Sequence, residues 1–165
     1  MSAPGPILRA PRDLWRDPGH LLSFGFGTGL IRWAPGTWGS LVGVGCFLAL
    51  QPLGSLPVWG AIGAMGIAGI ALCERTSRAL GVKDHGAIVW DEIVGVMIAL
   101  ALAGRSPEAL VACFLLFRAL DVLKPWPIRV LDQRLEGGAG VMADDVAAGA
   151  FSGLAILLFE YLSWI

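Results

Sequence analysis

The sequence predicts an all-α protein: a polytopic membrane helical bundle of about four to five transmembrane or re-entrant helices with an interfacial loop. Three observations predict this class. The mean hydropathy of the 165 residues is +0.70 and only 15% of them are charged, whereas soluble domains carry about 25%. The apolar residues form long runs separated by short breaks rich in proline and glycine. The charged residues gather near those breaks, as is typical of chains that cross a lipid layer repeatedly.

Five apolar segments are candidates for these helices, because a helix needs about 17–25 predominantly apolar residues to cross the hydrocarbon layer. In chain order they are Trp38–Leu53, Leu56–Cys73, Ile88–Ala103, Ala109–Leu123 and Val146–Ile165. The second and fifth are the clearest spans. The first is short and rich in glycine, so it is either a span or a re-entrant segment. The third reaches spanning length only if its first five residues are helical. The stretch Lys124–Ala143 is predicted to be the interfacial loop.

The domain organisation is predicted to be simple. Residues 1–20 mix charges with four prolines and are predicted to form an arm that is partly disordered or lies at the membrane surface. Residues 21–165 are predicted to be a single membrane-embedded domain. The three cysteines lie in apolar runs, so they are predicted to be small buried side chains without disulfides. The net charge of −1 does not indicate a nucleic-acid partner, and the sequence carries no signal for the oligomeric state.

The basic residues predict the orientation of the bundle. If the five segments cross the bilayer in turn, eleven of the twelve Lys and Arg residues lie on the side of the N-terminus, and Arg105 alone lies on the other side. Basic residues in short loops mark the cytoplasmic face. The N-terminal side is therefore predicted to be cytoplasmic, provided that the first segment is a true span.

The same threading brings the acidic residues together. Three carboxylates precede or open the third segment, one ends the fourth and two open the fifth, so antiparallel helices would deliver all six to one membrane interface: Asp84, Asp91, Glu92, Asp121, Asp144 and Asp145. Carboxylates at helix N-termini also have a structural role, since each stabilises the helix by about 0.3–1 kcal/mol. Asp121 differs because it lies at a helix C-terminus, where the helix dipole disfavours an anion.

This combination of charges predicts a metal site that receives an anion. Carboxylates crowded at one interface repel each other unless a cation is present, and hard oxygen ligands suit Mg²⁺, which bridges carboxylates to phosphates. Basic residues lie close by in the predicted topology: Lys83, Arg118, Lys124, Arg129 and Arg134. They are candidates for binding the anion or, alternatively, for anchoring the protein to lipid headgroups.

Three further polar residues have two readings each. His85 follows Asp84 and is a candidate general acid or base, although interfacial hydrogen bonding explains it equally well. Thr37 and Ser40 precede the first apolar segment, where either side chain is predicted to cap a helix. Free N–H groups at that helix N-terminus would also suit a phosphate, so both residues are candidates for substrate binding.

Three long motifs resemble bacterial phosphatidylglycerophosphatase A. They are Asp84-His-Gly-Ala-Ile-Val-Trp-Asp-Glu-Ile-Val-Gly95, Phe117-Arg-Ala-Leu-Asp-Val-Leu-Lys-Pro-Trp-Pro-Ile-Arg129 and Gly137-Gly-Ala-Gly-Val-Met-Ala-Asp-Asp-Val-Ala-Ala-Gly149. The shorter segment Pro35-Gly-Thr-Trp-Gly-Ser40 also fits. The resemblance runs from about residue 25 to the C-terminus, and its motifs are long and ordered, which makes it specific.

The resemblance implies a Mg²⁺-dependent, multi-pass phosphatase of the bacterial inner membrane that converts phosphatidylglycerophosphate to phosphatidylglycerol and phosphate. Carried over by position, the six acidic residues become the acidic site, and Lys124 and Arg129 become candidates for phosphate contact. We expect hydrolysis by water at the metal, with an uncoordinated carboxylate or His85 as base. An aspartyl-phosphate formed on Asp121 or Asp145 is the alternative. A cation transporter or channel that uses the interfacial carboxylates is the second functional hypothesis, and a non-catalytic membrane scaffold is the third.

Overall fold

The computed structural model describes residues 16–83 and 85–162, and every regular element within them is a helix. In chain order the elements are α1 (Pro18–Ser23), a 3₁₀ segment (Gly25–Leu30), α2 (Pro35–Leu50) followed by a 3₁₀ turn (Gln51–Leu53), α3 (Ser55–Leu80), α4 (Trp90–Ala103), α5 (Pro107–Leu123), α6 (Ile128–Arg134) and α7 (Gly137–Leu162). Three are long and apolar enough to cross a membrane: α2 with its 3₁₀ turn, α3 and α7. The all-α class is confirmed, and length and composition support three of the predicted spans.

Helix α4 forms the centre of the bundle. It has 14 residues, of which eleven are buried, and it packs against α2, α3, α5 and α7. Its length of about 21 Å, at 1.5 Å per residue, falls short of the roughly 30 Å hydrocarbon layer. Enclosure by four other helices accounts for its apolar composition, and α4 is not among the three helices that are long enough to cross a membrane.

The outer helices present large apolar side chains to their surroundings. Leu56 and Ile67 on α3 are 84% and 77% exposed, and Phe159 on α7 is 69% exposed. A soluble monomer rarely carries apolar surface on this scale, whereas lipid favours it. Together with the three long apolar helices, this surface identifies a membrane protein.

The break between α4 and α5 lies at Gly104–Pro107 as predicted, whereas α3 continues past the predicted end of its segment at Cys73 to Leu80. Helix α5 begins at Pro107, and the hydroxyl of Ser106 accepts a hydrogen bond from the Ala109 N–H at 3.2 Å. Helix α3 ends before Gly81, whose φ of 70° is a conformation that suits glycine. These local signals fix helix ends because they satisfy backbone groups that the helix leaves unpaired.

The predicted interfacial loop Lys124–Ala143 is largely helical. It contains α6, and α7 already begins at Gly137, so Asp144 and Asp145 lie two turns inside α7 and do not open it. Two contacts with α3 explain the early start. The Gly138 N–H donates to the Glu74 carboxylate at 2.5 Å, and a side chain at Gly138 would collide with the carbonyl oxygen of Ile70. This cap and close packing outweigh the low helix propensity of glycine.

The N-terminal boundary differs in detail from the predicted arm. Residues 1–15 lie outside the described part of the chain, but α1 begins at Pro18, with the Asp17 carboxylate accepting hydrogen bonds from the Gly19 and His20 N–H groups. His20 is buried against α3, where its Nδ1 lies 2.9 Å from the Thr76 hydroxyl oxygen. Residues from Pro18 onward therefore pack on the bundle.

Candidate active site

A glycine contact between α4 and α7 positions the acidic residues. A side chain at Gly149 would collide with the carbonyl oxygen of Gly95, and a Cβ at Gly95 would lie 2.7 Å from the carbonyl oxygen of Asp145. Asp91 and Asp145 each precede one of these glycines by one helical turn. Because side chains four residues apart share a helix face, the close contact of the two helices brings the two carboxylates together.

Three carboxylates meet at this crossing. Ligand oxygens of Asp91, Glu92 and Asp145 all lie within 4.8 Å of one another. Asp91 and Asp145 are only 4% and 3% exposed, although buried carboxylates normally have a partner. We call these three residues the acid cluster.

The acid cluster fits a divalent cation. One oxygen of each of its three carboxylates is buried and accepts no hydrogen bond from the residues that the structure describes. Buried polar atoms without partners are rare and indicate a missing ligand, water or ion. Oxygens bound to one Mg²⁺ lie up to about 4.2 Å apart, so small side-chain rotations would close the set around an ion of this size.

Arg118 lies at the edge of the acid cluster. Its Nη1 is 2.5 Å from Asp121 Oδ2 and 3.9 Å from Glu92 Oε1, and all three side chains are largely buried. Arg118 therefore neutralises Asp121, which lies at the end of α5 as predicted. Arg118 balances part of the negative charge of the site.

Asp144 has different surroundings from Asp145. Its Oδ2 lies 2.5 Å from Lys124 Nζ, which is also 3.2 Å from Asp132 Oδ1. Burial disfavours the charge of Lys124, but the hydrogen bonds and charges of Asp144 and Asp132 outweigh it and raise the pKa of the lysine. Lys124 thus stays protonated at any ordinary pH. Asp144 faces this lysine and is not part of the acid cluster.

The N-terminus of α2 approaches the site through its backbone. Ala34 precedes the helix in a left-handed conformation, without a side-chain cap, so the predicted capping by Thr37 or Ser40 is wrong. The Ser40 hydroxyl donates to the Gly36 carbonyl at 2.8 Å, and Thr37 is half-buried. Gly36 itself lies against Glu92 and Arg118.

Three other residues were predicted for the site: Asp84, His85 and Arg129. Asp84 is outside the described residues. His85 accepts the Ala87 N–H on Nδ1 at 3.1 Å, which leaves Nε2 to carry the proton of a neutral ring. Arg129 is exposed and makes no ion pair with a described residue.

Sequence reasoning missed Asp132, Glu74 and Gly36. Asp132 holds Lys124, and its backbone carbonyl accepts a hydrogen bond from Lys83 Nζ at 2.7 Å. Glu74 caps α7, the helix that carries Asp145. No local pattern marks either carboxylate, because their partners lie on other elements. Gly36 belongs to the Pro35–Ser40 motif, but its role depends on the side chains that face it in the fold, Glu92 and Arg118.

The fold and the site define a class: a helical membrane protein with a buried carboxylate cluster between its central helix and its last helix. The model of the family described as phosphatidylglycerophosphatase A matches residues 21–160. The chain therefore belongs to the phosphatidylglycerophosphatase A family, which confirms the resemblance carried by the motifs.

Individual relatives agree over most of the chain. The phosphatidylglycerophosphatase A of Haemophilus influenzae is 45% identical over 147 residues, 88% of this chain and 90% of the relative. The phosphatidylglycerophosphatase A of Escherichia coli is 43% identical over 150 residues, which are 90% of this chain and 86% of the relative. A putative phosphatidylinositol-3-phosphatase of Bacteroides thetaiotaomicron is 33% identical over 151 residues, which are 86% of this chain and 93% of the relative. No solved structure matches the chain significantly. The names agree with the predicted enzyme class, a lipid phosphatase.

Proposed function

We propose that this protein hydrolyses phosphatidylglycerophosphate to phosphatidylglycerol and phosphate with the help of Mg²⁺ bound at the acid cluster. The observation that carries the proposal is the convergence of Asp91, Glu92 and Asp145, with unpartnered oxygens, in a member of this family. Family membership favours hydrolysis over cation transport as the use of these carboxylates.

The acid cluster residues would hold the cation. When bound, Mg²⁺ supplies charge neutralisation at the phosphate and increases the acidity of water. Arg118, 2.5 Å from Asp121, adds a fixed positive charge at the edge of the cluster, where it can stabilise charge on the phosphoryl oxygens. Lys124 and Arg129 are proposed as further phosphate contacts on the side of α6.

Hydrolysis requires a base for one water proton. The water oxygen bonds to phosphorus, the bond from phosphorus to the glycerol oxygen breaks, and the alkoxide takes up a proton. Asp121 is adjacent to Asp145 but outside the acid cluster, so its position suits a proton acceptor that does not bind the cation. Phosphoprotein trapped by acid quenching would instead identify an aspartyl-phosphate intermediate.

We further propose that the protein is a multi-pass protein of the bacterial inner membrane with its acid cluster on the cytoplasmic side. The distribution of charge supports this: whether α4 and α5 cross the bilayer or enter it as a hairpin between the candidate spans α3 and α7, eleven of the twelve Lys and Arg residues lie on the side of the acids. The lipid tails would remain in the bilayer while the headgroup reaches the cluster.

The test is release of phosphate by the purified protein in detergent micelles. We expect release from phosphatidylglycerophosphate that requires Mg²⁺, stops with a chelator and is lost in Asp91→Asn. Phosphatidylinositol 3-phosphate is the comparison substrate, because one relative is named for it. Preference for that lipid would reject the proposed substrate, and no release from either lipid would reject the activity.

A further inference from the structure

Three glycines of α2 are buried on the side that faces α4, but their neighbours differ. A Cβ at Gly39 would meet Val89, and a Cβ at Gly43 would meet Val96 and Ile93; in both cases a backbone carbonyl oxygen is among the atoms met. These two glycines therefore serve helix packing. A Cβ at Gly36 would instead have only the ends of charged side chains as its nearest neighbours.

The contact at Gly36 involves the acid cluster. A Cβ there would collide with Glu92 Oε1 and would lie 3.0 and 3.1 Å from the two terminal nitrogens of Arg118. The backbone of Gly36 does not have the positive φ that other glycines of the chain adopt. Its conformation is thus accessible to alanine, and the space beside it is what excludes a side chain.

A methyl group at this position would find room only by moving the site. Glu92 and Arg118 meet the added methyl with the ends of flexible side chains, so they can rotate away without a shift of the backbone. Arg118 would then leave its position 2.5 Å from Asp121, or the Glu92 carboxylate would move from the cluster it forms with Asp91 and Asp145.

We propose that Gly36 is a positioning residue: the absence of its side chain sets the places of the Glu92 carboxylate and the Arg118 guanidinium beside the acid cluster. This inference rests on the proposed function, because it assumes that the cluster binds Mg²⁺ and acts on a phosphate. It assigns the Pro35–Ser40 motif a steric role, whereas capping is excluded by the structure.

The test compares Gly36→Ala with Gly45→Ala. Gly45 lies on the same helix, and a Cβ there would meet nothing within 4 Å, so this variant makes the same substitution without a collision. Both are purified in detergent. Their thermal unfolding midpoints are measured in a chelator and over a series of Mg²⁺ concentrations, and kcat and KM are measured with phosphatidylglycerophosphate.

We expect both variants to fold and to unfold in chelator within about 5 °C of each other, because the atoms that Gly36→Ala displaces are side-chain ends and not backbone. The Mg²⁺ concentration that half-saturates the rise in the midpoint should increase about tenfold or more in Gly36→Ala, and kcat should fall about tenfold to a hundredfold, as displacements of about 1 Å do. Gly45→Ala should match the wild type in both measurements.

Three results would overturn the inference. One is a Gly36→Ala protein with the Mg²⁺ response and kcat of Gly45→Ala. Another is a Gly36→Ala protein that fails to fold, since the role would then be packing. The third is a wild type that responds to Mg²⁺ in neither measurement, because no site would exist to position. A wild type stabilised by Mg²⁺ but unable to release phosphate would reject the proposed activity alone. The Mg²⁺ dependence of the unfolding midpoints of Gly36→Ala and Gly45→Ala would then still test the positioning role of Gly36.

Discussion

Asp144 and Asp145 are neighbours in the chain, but their carboxylates have separate surroundings. Successive residues of an α-helix point about 100° apart, so only one of the two can face α4. Asp145 faces it, one turn before the glycine that contacts Gly95. Asp144 faces Lys124 at 2.5 Å. The two acids are therefore expected to differ when they are substituted.

Asp145→Asn should abolish turnover and stabilise the protein in the absence of metal. The amide cannot replace the anionic ligand, so we expect phosphate release to fall by about a hundredfold or more. Removing one of three crowded charges should raise the unfolding midpoint in chelator by a few degrees. Asp17→Asn is the control. Asparagine caps α1 as well as aspartate does, and the ion pair of Asp17 with Arg75 that it removes is solvent-exposed and contributes little to the free energy of unfolding. Wild-type turnover in Asp145→Asn would exclude Asp145 from the site.

Lys124→Met should destabilise the protein through Asp144. The substitution deprives a buried carboxylate, 4% exposed, of its lysine, which we expect to lower the free energy of unfolding by about 1–3 kcal/mol. Adding Asp144→Asn should restore most of that stability, as measured by chemical denaturation in detergent.

Activity separates the two roles proposed for Lys124. If the lysine also contacts phosphate, the stable double variant will remain slow, with a raised KM. A double variant with wild-type KM and kcat would restrict Lys124 to holding Asp144.

At the level of helices, the crossing of α4 and α7 should be the most sensitive to added volume. Gly149→Ala would place a methyl group against the Gly95 carbonyl oxygen, and a backbone atom cannot rotate away. We expect a loss of about 1–3 kcal/mol in unfolding free energy together with lower activity, since Asp145 would move from Asp91. Gly63→Ala is the matched control, because a Cβ at Gly63 meets nothing within 4 Å. Equal stability of the two variants would contradict the described crossing.

The sequence predicted helix ends where they depend on local chemistry and missed those that depend on tertiary contacts. The start of α5 at Pro107 was readable because proline and a capping hydroxyl act on their own backbone. The start of α7 was not, because it relies on Glu74 of another helix. The buried position of α4 was hidden for the same reason.

The candidate site was predictable to the level of a region. Threading the helices brought Asp91, Glu92 and Asp145 to one place, and the structure shows their oxygens within 4.8 Å. The distinction between Asp144 and Asp145 depends on the packing face of α7: Gly149 and Gly153 lie against α4, and Asp145 shares their face because it precedes Gly149 by four residues. The role of Gly36 could not be predicted, because the sequence does not show which side chains of other helices lie against a glycine.

For the whole molecule, the proposed orientation can be tested by labelling from one side of the membrane. The variants are Arg129→Cys, on the side of the acid cluster, and Arg105→Cys, after α4, both in a background without Cys46, Cys73 and Cys113. We expect a membrane-impermeant thiol reagent added to intact cells to label position 105 and to label position 129 only after lysis. The reverse pattern would place the site on the outer face.

The enclosure of α4 has a consequence for how the protein is made. Asp91 and Glu92 leave the ribosome well before Asp145, because α7 is the last of the described helices to be synthesised. Until then α4 lacks the helix that packs against Gly95. The acid cluster is thus completed only when α7 has been made and packs against α4, so a shorter nascent chain carries Asp91 and Glu92 without Asp145.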